Sequence, residues 1–543
     1  MSTSSRRDPL RRDPASWVSP VSEALAEALP RLYGEPPDAH LGDLIVALTR
    51  AMERGELAID LDGAAPDGVE GGGWPEAHLQ ALGASALSRP PHGPLALEGS
   101  LLRWRRWQRQ RLEVIEALTA RAHRQTPLSR WRPPAGVKDP QQRLAIRTAL
   151  ERDLLVLAGG PGTGKTSTVA WILTALTQHQ NDSRIHLAAP TGKAAARLRA
   201  ATGGRWPCTT LHQLLESRGE GHFRRNRERP LKLDLLVVDE VSMVDLELMG
   251  ALLQALPGES RLVLVGDPAQ LPPVAPGAPL QELLQEERQP LLQPAVVTLQ
   301  TPYRNAGAIA QVASVLRERI GHQRQAGGLL IEELRPQLSA LEAGSNLHWQ
   351  EAPLGPLPAV LVHRLQDHLR QLASAVQECT PGTERGWQAL VDIRDGLLVL
   401  TPRHRGAWGV EAVHRQLLGE ASGASLAQWP SGTPVLCTRN LHGLGLSNGD
   451  LGVVVEMGLE RWLVFGQDTP IWLHPAQLSG ALEPALALTV HKAQGSEAQQ
   501  VMVLLPDREG VDGRLLYTAL TRAREEAWLL TPLNPSAGED NRC

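Results

Sequence analysis

One stretch constrains the fold of this chain more than any other: residues 154–170, LLVLAGGPGTGKTSTVA. The apolar run at 154–157 has the length and branching of a buried strand. It breaks into a glycine-rich turn and reopens as a helix after Lys165 and Thr166, which is G-x-x-x-x-G-K-[ST] in its required setting of strand, loop and helix. Gly159, Gly160, Pro161, Gly162, Thr163 and Gly164 make the loop, where glycines let backbone N–H groups converge on phosphate oxygens. The N-terminus of the following helix adds partial positive charge at the same point. Lys165 reaches the β- and γ-phosphates, and the Thr166 hydroxyl ligates Mg²⁺. A nucleoside triphosphate site follows, and with it an α/β fold on a parallel sheet.

Bulk properties bound what else the chain can be. At 543 residues it is too long for a single core, and about three or four domains are expected. No apolar run reaches the length of a membrane span, and the opening MSTSSRRDPLRRDP has no apolar segment behind its arginines, so the expected location is the cytoplasm, without a membrane partner. Cys208, Cys379, Cys437 and Cys543 lack metal or disulfide spacing, which fits a reducing compartment. A net charge of −4 provides no global basic field, so any nucleic acid must be held by a local groove.

Residues 1–135 carry no phosphate or metal motif and read as short amphipathic helices separated by Pro/Gly joints, a helical domain for packing or partner contact. Within it, LLRWRRWQRQRLEVIEALTARAHRQ reads as one long helix. Its interleaved Trp104, Trp107 and arginines fit either a strand-holding or docking surface, or tryptophans facing in and arginines facing solvent. Gln142, just ahead of the first core helix, has an amide that can pair with an adenine edge. IHLAAPTGKAAARL places Pro190, Thr191 and Lys193 in a loop between strand and helix; Thr210 and His212 open the next helix. Residues 214–231 fit a short excursion such as a hairpin.

The strand LDLLVV ends in Asp239-Glu240, about 75 residues after Lys165, a normal separation in a phosphate-loop sheet. One carboxylate (Asp239) holds Mg²⁺ and its neighbour (Glu240) polarises the attacking water. Gln270, after the strand RLVLVG, can reach the γ-phosphate and report hydrolysis. Tyr303 and Arg304 sit where a strand meets a helix: the ring can stack on a purine, the guanidinium can meet the γ-phosphate. Residues 311–395 read as helical. Short strands between 430 and 478, with the turn Ser447-Asn448-Gly449-Asp450, predict a small inserted β-barrel. Thr489, His491 and Lys492 then cluster in a loop, and Arg522 is read on a helix.

Two α/β units, only the first with a phosphate loop and the second supplying Arg304 and Arg522, make a motor: ATP in the cleft closes it, and hydrolysis opens it. In order, GGPGTGKTS, APTGKAAARL, TLHQLL, VVDEVSMVD, VGDPAQLPPVAPG, PYRN, TVHKAQGSE and YTALTRA resemble the motifs of superfamily 1 helicases. The combination is similar to the RecD type, the alpha subunit of exodeoxyribonuclease V (RecBCD), over residues 142–530, and TVHKAQGSE resembles the branch moving 5′→3′ on single-stranded DNA. The resemblance implies two RecA-like motor domains: 136–292, with a short pin-like insert at 214–231, and 293–429 with 479–535, the second lacking a phosphate loop. An SH3-like barrel is inserted at 430–478, residues 1–135 are a partner-docking helical domain, and 536–543 are a disordered tail.

It further implies an ATPase site of Lys165, Thr166, Asp239, Glu240, Gln270, Arg304 and Arg522, with Gln142 and Tyr303 at the base, and a DNA track of Pro190, Thr191, Lys193, Thr210, His212, Thr489, His491 and Lys492. ATP and Mg²⁺ are the expected cofactors. The expected partners are single-stranded and double-stranded-end DNA and RecB- and RecC-type subunits in a heterotrimer for double-strand break repair. His414 stands where relatives often carry Asn, and no nuclease pattern is present, so any exonuclease activity belongs to the assembled complex. Two other readings stand beside this one: a stand-alone 5′→3′ helicase of the same branch, and a non-motor interaction subunit in which ATP is a structural switch.

Overall fold

The aliphatic run at 154–159 lies inside a six-stranded sheet in the computed structural model of the chain, buried at every position of the strand Leu154–Gly159. The structure describes residues 20–534 apart from 67–68, 70–71, 126–135, 180–182, 220, 285–288, 302–306, 323–330, 343, 424, 459, 467–468 and 479. The sheet order is Cys208–Thr210, Ile185–Ala189, Leu235–Val238, Arg261–Gly266, Leu154–Gly159, Val296–Leu299, with every pairing parallel. Strands buried on both faces need helices on both sides, and continuous aliphatic runs such as LLVV and RLVLVG satisfy that demand. Loops at the carboxyl ends of these strands collect the phosphate loop, Asp239-Glu240 and Asp267 at one edge.

This sheet corrects the boundary expected at 292/293. Val296–Leu299 pairs with Leu154–Gly159 and completes the first motor rather than starting the second. A short strand carries no mark of which sheet it will join, since parallel pairing is non-local.

The second sheet has the order Leu347–Ala352, Ala523–Pro532, Ala498–Leu504, Leu397–Thr401, Leu488–Thr489, again all parallel. The stretch 311–395 is therefore not wholly helical, because it contributes the edge strand Leu347–Ala352. The helix before the last long strand ends at Leu520, and Thr521 caps it, so Arg522 lies in the tight turn between helix and strand rather than on the helix. Between the strands of this sheet the chain forms a five-stranded antiparallel sheet, ordered Ile471–Leu473, Glu460–Phe465, Leu451–Met457, Pro434–Cys437, Leu482–Pro484. Its last strand lies beyond the limit of 478 expected for the insert.

The chain separates into two compact units. One comprises residues 1–117 with 245–250 and 272–279, and the other holds the rest, including both parallel sheets. In the first, helices Pro20–Leu32, Ala39–Glu53 and Glu76–Ala84 share a core with a three-stranded antiparallel sheet built from Ile59–Asp60, Leu101–Trp104 and Leu95–Glu98. The expectation of a purely helical domain is thus corrected. Leu101–Trp104 is a strand of a hairpin turning at Gly99 (φ +63°), and the helix begins only at Arg105. Tertiary packing decided it: Leu95 and Leu102, on the paired strands of one hairpin, are fully enclosed in the core they share with the helices. Nor do all the arginines face solvent. Arg103 and Arg111 are buried, Arg111 pairs with Glu98 at 3.1 Å, and Arg105 donates to the carbonyls of Gly93, Ser88 and Leu95.

Candidate active site

The phosphate loop is held by contacts a larger residue would break. A Cβ at Gly159 would stand 2.7 Å from Thr163 Oγ1 and 3.1 Å from the Leu299 carbonyl oxygen, while Gly162 (φ +71°) and Gly164 (φ +83°) occupy the left-handed region. Thr163 Oγ1 donates to the Gly160 carbonyl at 2.8 Å, which fixes the turn. Lys165 opens the helix Lys165–His179, and its ammonium donates to the carbonyls of Gly159 and Gly160 at 2.8 and 2.9 Å. Thr166 follows in the first turn of the same helix.

Asp239 and Glu240 are both buried at the carboxyl end of Leu235–Val238, and Asp239 Oδ1 accepts the Glu240 amide at 2.9 Å. Glu240 has φ +53°, an unusual left-handed setting for a side chain of its size. Burial, then the adjacent Glu240 carboxylate, raise Asp239 above the usual carboxylate range. Glu240 goes the other way: its burial is outweighed by Arg197, Arg522 and Lys165, which together hold it below the ordinary value. Two neighbouring carboxyl groups thus receive opposite biases, one demanding a cation and one kept ionised. Asp239 and Thr166 offer hard oxygen donors of the kind Mg²⁺ takes, though the described residues contain no cluster of three or more His, Cys, Asp or Glu that could hold a metal by themselves.

The second parallel sheet reaches this edge through several bonds. Tyr517 donates its hydroxyl to Asp267 Oδ2 at 2.7 Å, the Leu271 amide donates to Thr518 Oγ1 at 2.9 Å, and the Gln494 amide donates to the Leu271 carbonyl at 3.3 Å. Arg514 donates to the Pro268 carbonyl. Gln270 is buried in this same loop. Arg522, almost fully buried, donates to the Thr518 carbonyl at 3.1 Å, and its charge acts on Glu240 and Glu497.

The structure therefore brings Lys165, Asp239, Glu240, Gln270 and Arg522 to one region. Tyr303 and Arg304 lie outside the described residues. Gln142 is inside the helix Pro140–Glu151, not ahead of it, and its backbone N–H is capped by Asp139.

Among the expected DNA contacts, Thr191 caps the helix Gly192–Ala201, and Lys193 donates to Ser496 Oγ at 2.9 Å. Burial, then the nearby Arg394 charge, bring the Lys193 ammonium down to about 8. Lys193 is thus engaged in holding the two motor halves, and Thr191 in holding its own helix. Thr210 closes a capping box with Gln213, His212 packs by Phe223, Thr489 accepts the Lys492 amide, and Lys492 pairs with Glu483; His491 is exposed and Pro190 sits in the loop before the helix. Sequence reasoning missed Arg197, Tyr517 and Arg317, whose guanidinium would lie 3.1 Å from a Cβ at Gly160. The available signal was modest: Arg197 is one turn along the helix from Lys193, and Tyr517 is one of three tyrosines.

Residues 142–276 match the AAA domain family, and residues 484–530 the UvrD-like helicase C-terminal domain. The RecBCD enzyme subunit RecD of Mycolicibacterium smegmatis is 36% identical over 94% of this chain and 92% of its own length. The chain belongs to the RecD family. As a RecD-family protein it is an ATP-hydrolysing helicase, and its site is to be read in those terms. The ATP-dependent RecD2 DNA helicase of Deinococcus radiodurans is 33% identical over 72% of this chain, which spans 48% of that longer protein. Among solved structures, Bacteroides Pif1 bound to ssDNA covers 74% of this chain and 96% of its own, at 18% identity and a TM-score of 0.40.

Proposed function

We propose that this chain is an ATP-driven 5′→3′ translocase on single-stranded DNA, working in the cytoplasm as the alpha-type subunit beside RecB- and RecC-type partners in the repair of double-strand breaks. One observation carries the motor reading: the buried Glu240 carboxylate feels both Lys165 of the phosphate loop and Arg522 of the second sheet. A pure binding module needs no ionised carboxylate at that place. In this reading Lys165 and the loop amides at 159–164 receive the phosphates, Glu240 takes the proton of the attacking water, and Gln270 reports the γ-phosphate. Arg522 and Arg304 neutralise charge that develops on the transferring group. Thr166 and Asp239 would hold Mg²⁺, which supplies further neutralisation of the phosphate oxygens. Gln142 and Tyr303 hold the base.

Pro190, Thr191, Lys193, Thr210, His212, Thr489, His491 and Lys492 form the DNA track. The antiparallel sheet spanning 434–484 serves as an SH3-like barrel, and residues 1–135 as the docking region. No described helix is long and apolar enough to cross a membrane. The test is ATP turnover of the full chain in its assembled complex, with and without single-stranded DNA, followed by unwinding of duplexes tailed at one end. Turnover should rise with DNA and vanish in Lys165→Ala and Asp239→Ala, and 5′-tailed duplexes should open first. Turnover indifferent to single-stranded DNA would rule out the motor.

A further inference from the structure

We propose that Arg197 is a positioning residue that links the helix Gly192–Ala201 to the water-polarising carboxylate, by passing between Glu240 and Glu497. The geometry is direct. Arg197 Nη2 donates to Glu240 Oε1, and Nη1 of the same guanidinium donates to Glu497 Oε1 at 2.7 Å. One fork thus spans a carboxylate of the first motor sheet and one just after the Thr489–Ser496 loop of the second. Glu497 is itself steadied by Arg524, whose Nε donates to Oε2 at 3.2 Å. A planar guanidinium suits this double engagement because its donors are fixed in a fork, where an ammonium is a single point charge.

The chemistry gives the contact a consequence. A carboxylate whose lone pairs are taken by a guanidinium accepts a proton from water poorly, so Glu240 acts as a base to the extent that Arg197 leaves it. Glu497 provides a second seat for the same charge, already within bonding distance. There is also room to move: a partly open cavity of about 200 Å³ is lined by Lys193, Arg197, Arg394, Glu497 and Arg524. The charge balance keeps the fork populated, since burial of Arg197 is outweighed by Glu240, Glu497 and Asp239.

The trigger is on the same helix. Lys193 and Arg197 are four residues apart and share one face, and Lys193 donates to Ser496, the residue before Glu497. A strand of DNA seated on the loop at 190–193 would displace that bond and turn the helix face carrying Arg197. Occupancy of the track is thereby transmitted to the base.

This inference rests on Glu240 being the base, so the experiment includes Glu240→Gln. Full-length protein is assayed for ATP turnover with and without an oligo-dT single strand, with thermal unfolding and ADP affinity confirming that each variant folds. Arg197→Ala should raise DNA-free turnover about tenfold, a barrier change of about 1.4 kcal/mol, at unchanged KM, and bring the DNA stimulation ratio towards one. Glu497→Gln should do the reverse, lowering stimulated turnover without raising the DNA-free rate, because a neutral amide competes poorly with the Glu240 carboxylate for the guanidinium. Arg197→Lys should restore part of the stimulation. If Arg197→Ala lowers both rates by one common factor, or leaves the stimulation ratio intact, Arg197 merely supports the fold and the proposal fails. If Glu240→Gln retains turnover, the assignment of the base fails instead.

Discussion

Tyr517→Phe isolates one of the bonds that join the two motor halves. The hydroxyl donates to Asp267 Oδ2 at 2.7 Å, both residues are fully buried, and burial followed by the Asp267 charge raises the Tyr517 phenol well above its usual value, so it remains a donor at any working pH. Removing the hydroxyl takes the donor from Oδ2 and leaves Asp267 with the Ala269 amide at 3.1 Å on its other oxygen. A hydrogen bond to a charged group contributes about 1.5–3 kcal/mol. If that energy is present only when the halves are together, the closed-to-open ratio falls by roughly 10- to 150-fold, at about 1.4 kcal/mol per decade. Binding of a non-hydrolysable ATP analogue, measured by calorimetry, should weaken by up to that factor. A cycle with Asp267→Asn separates the pair from the loss of either side chain, and a coupling under about 0.5 kcal/mol in that cycle would refute the reasoning.

Other outcomes follow from the same geometry. Gly159→Ala places a methyl 2.7 Å from Thr163 Oγ1 and should weaken nucleotide binding by about 1–3 kcal/mol through distortion of the loop, read as ATP affinity with the fold unchanged by circular dichroism. His368 and His414 are both pulled down to about 4 by burial, in His414 against a backbone hydrogen bond at Ala487. Since each folded value lies below the unfolded one of about 6.5, the unfolded chain takes up protons first. Their contribution to stability is complete above pH 6.5 and is lost as pH falls through 4, up to about 3 kcal/mol each. Urea titrations at pH 7.5 and 4.5 should show that loss, and His414→Asn should reduce it; an acid slope unchanged in the double variant with His368→Asn would count against the assignment.

How much of the site was legible in advance depended on how local its causes are. The phosphate loop was fully legible, because its glycines, Lys165 and Thr166 are consecutive and their conformation is dictated by neighbours in the chain. Asp239-Glu240 was legible for a related reason: a buried strand ending in a carboxylate has few other uses near such a loop. Opposite biases on the two carboxyl groups were not, since Asp239 is raised by burial beside Glu240, while Glu240 is lowered by Arg197 and Arg522 at positions the sequence leaves unconnected.

The amino-acid sequence by itself determined the class of fold, the triphosphate chemistry and the order of the functional loops, because strand, turn and helix signals act over a few residues. Tertiary structure alone decided that Val296–Leu299 closes the first sheet, that 101–104 is strand, and that Arg197 is shared between Glu240, 43 residues away, and Glu497, 300 residues away. It also set Tyr517 on Asp267 across 250 residues. Those pairings depend on which surfaces exclude water together, and that is settled only when the whole chain has packed.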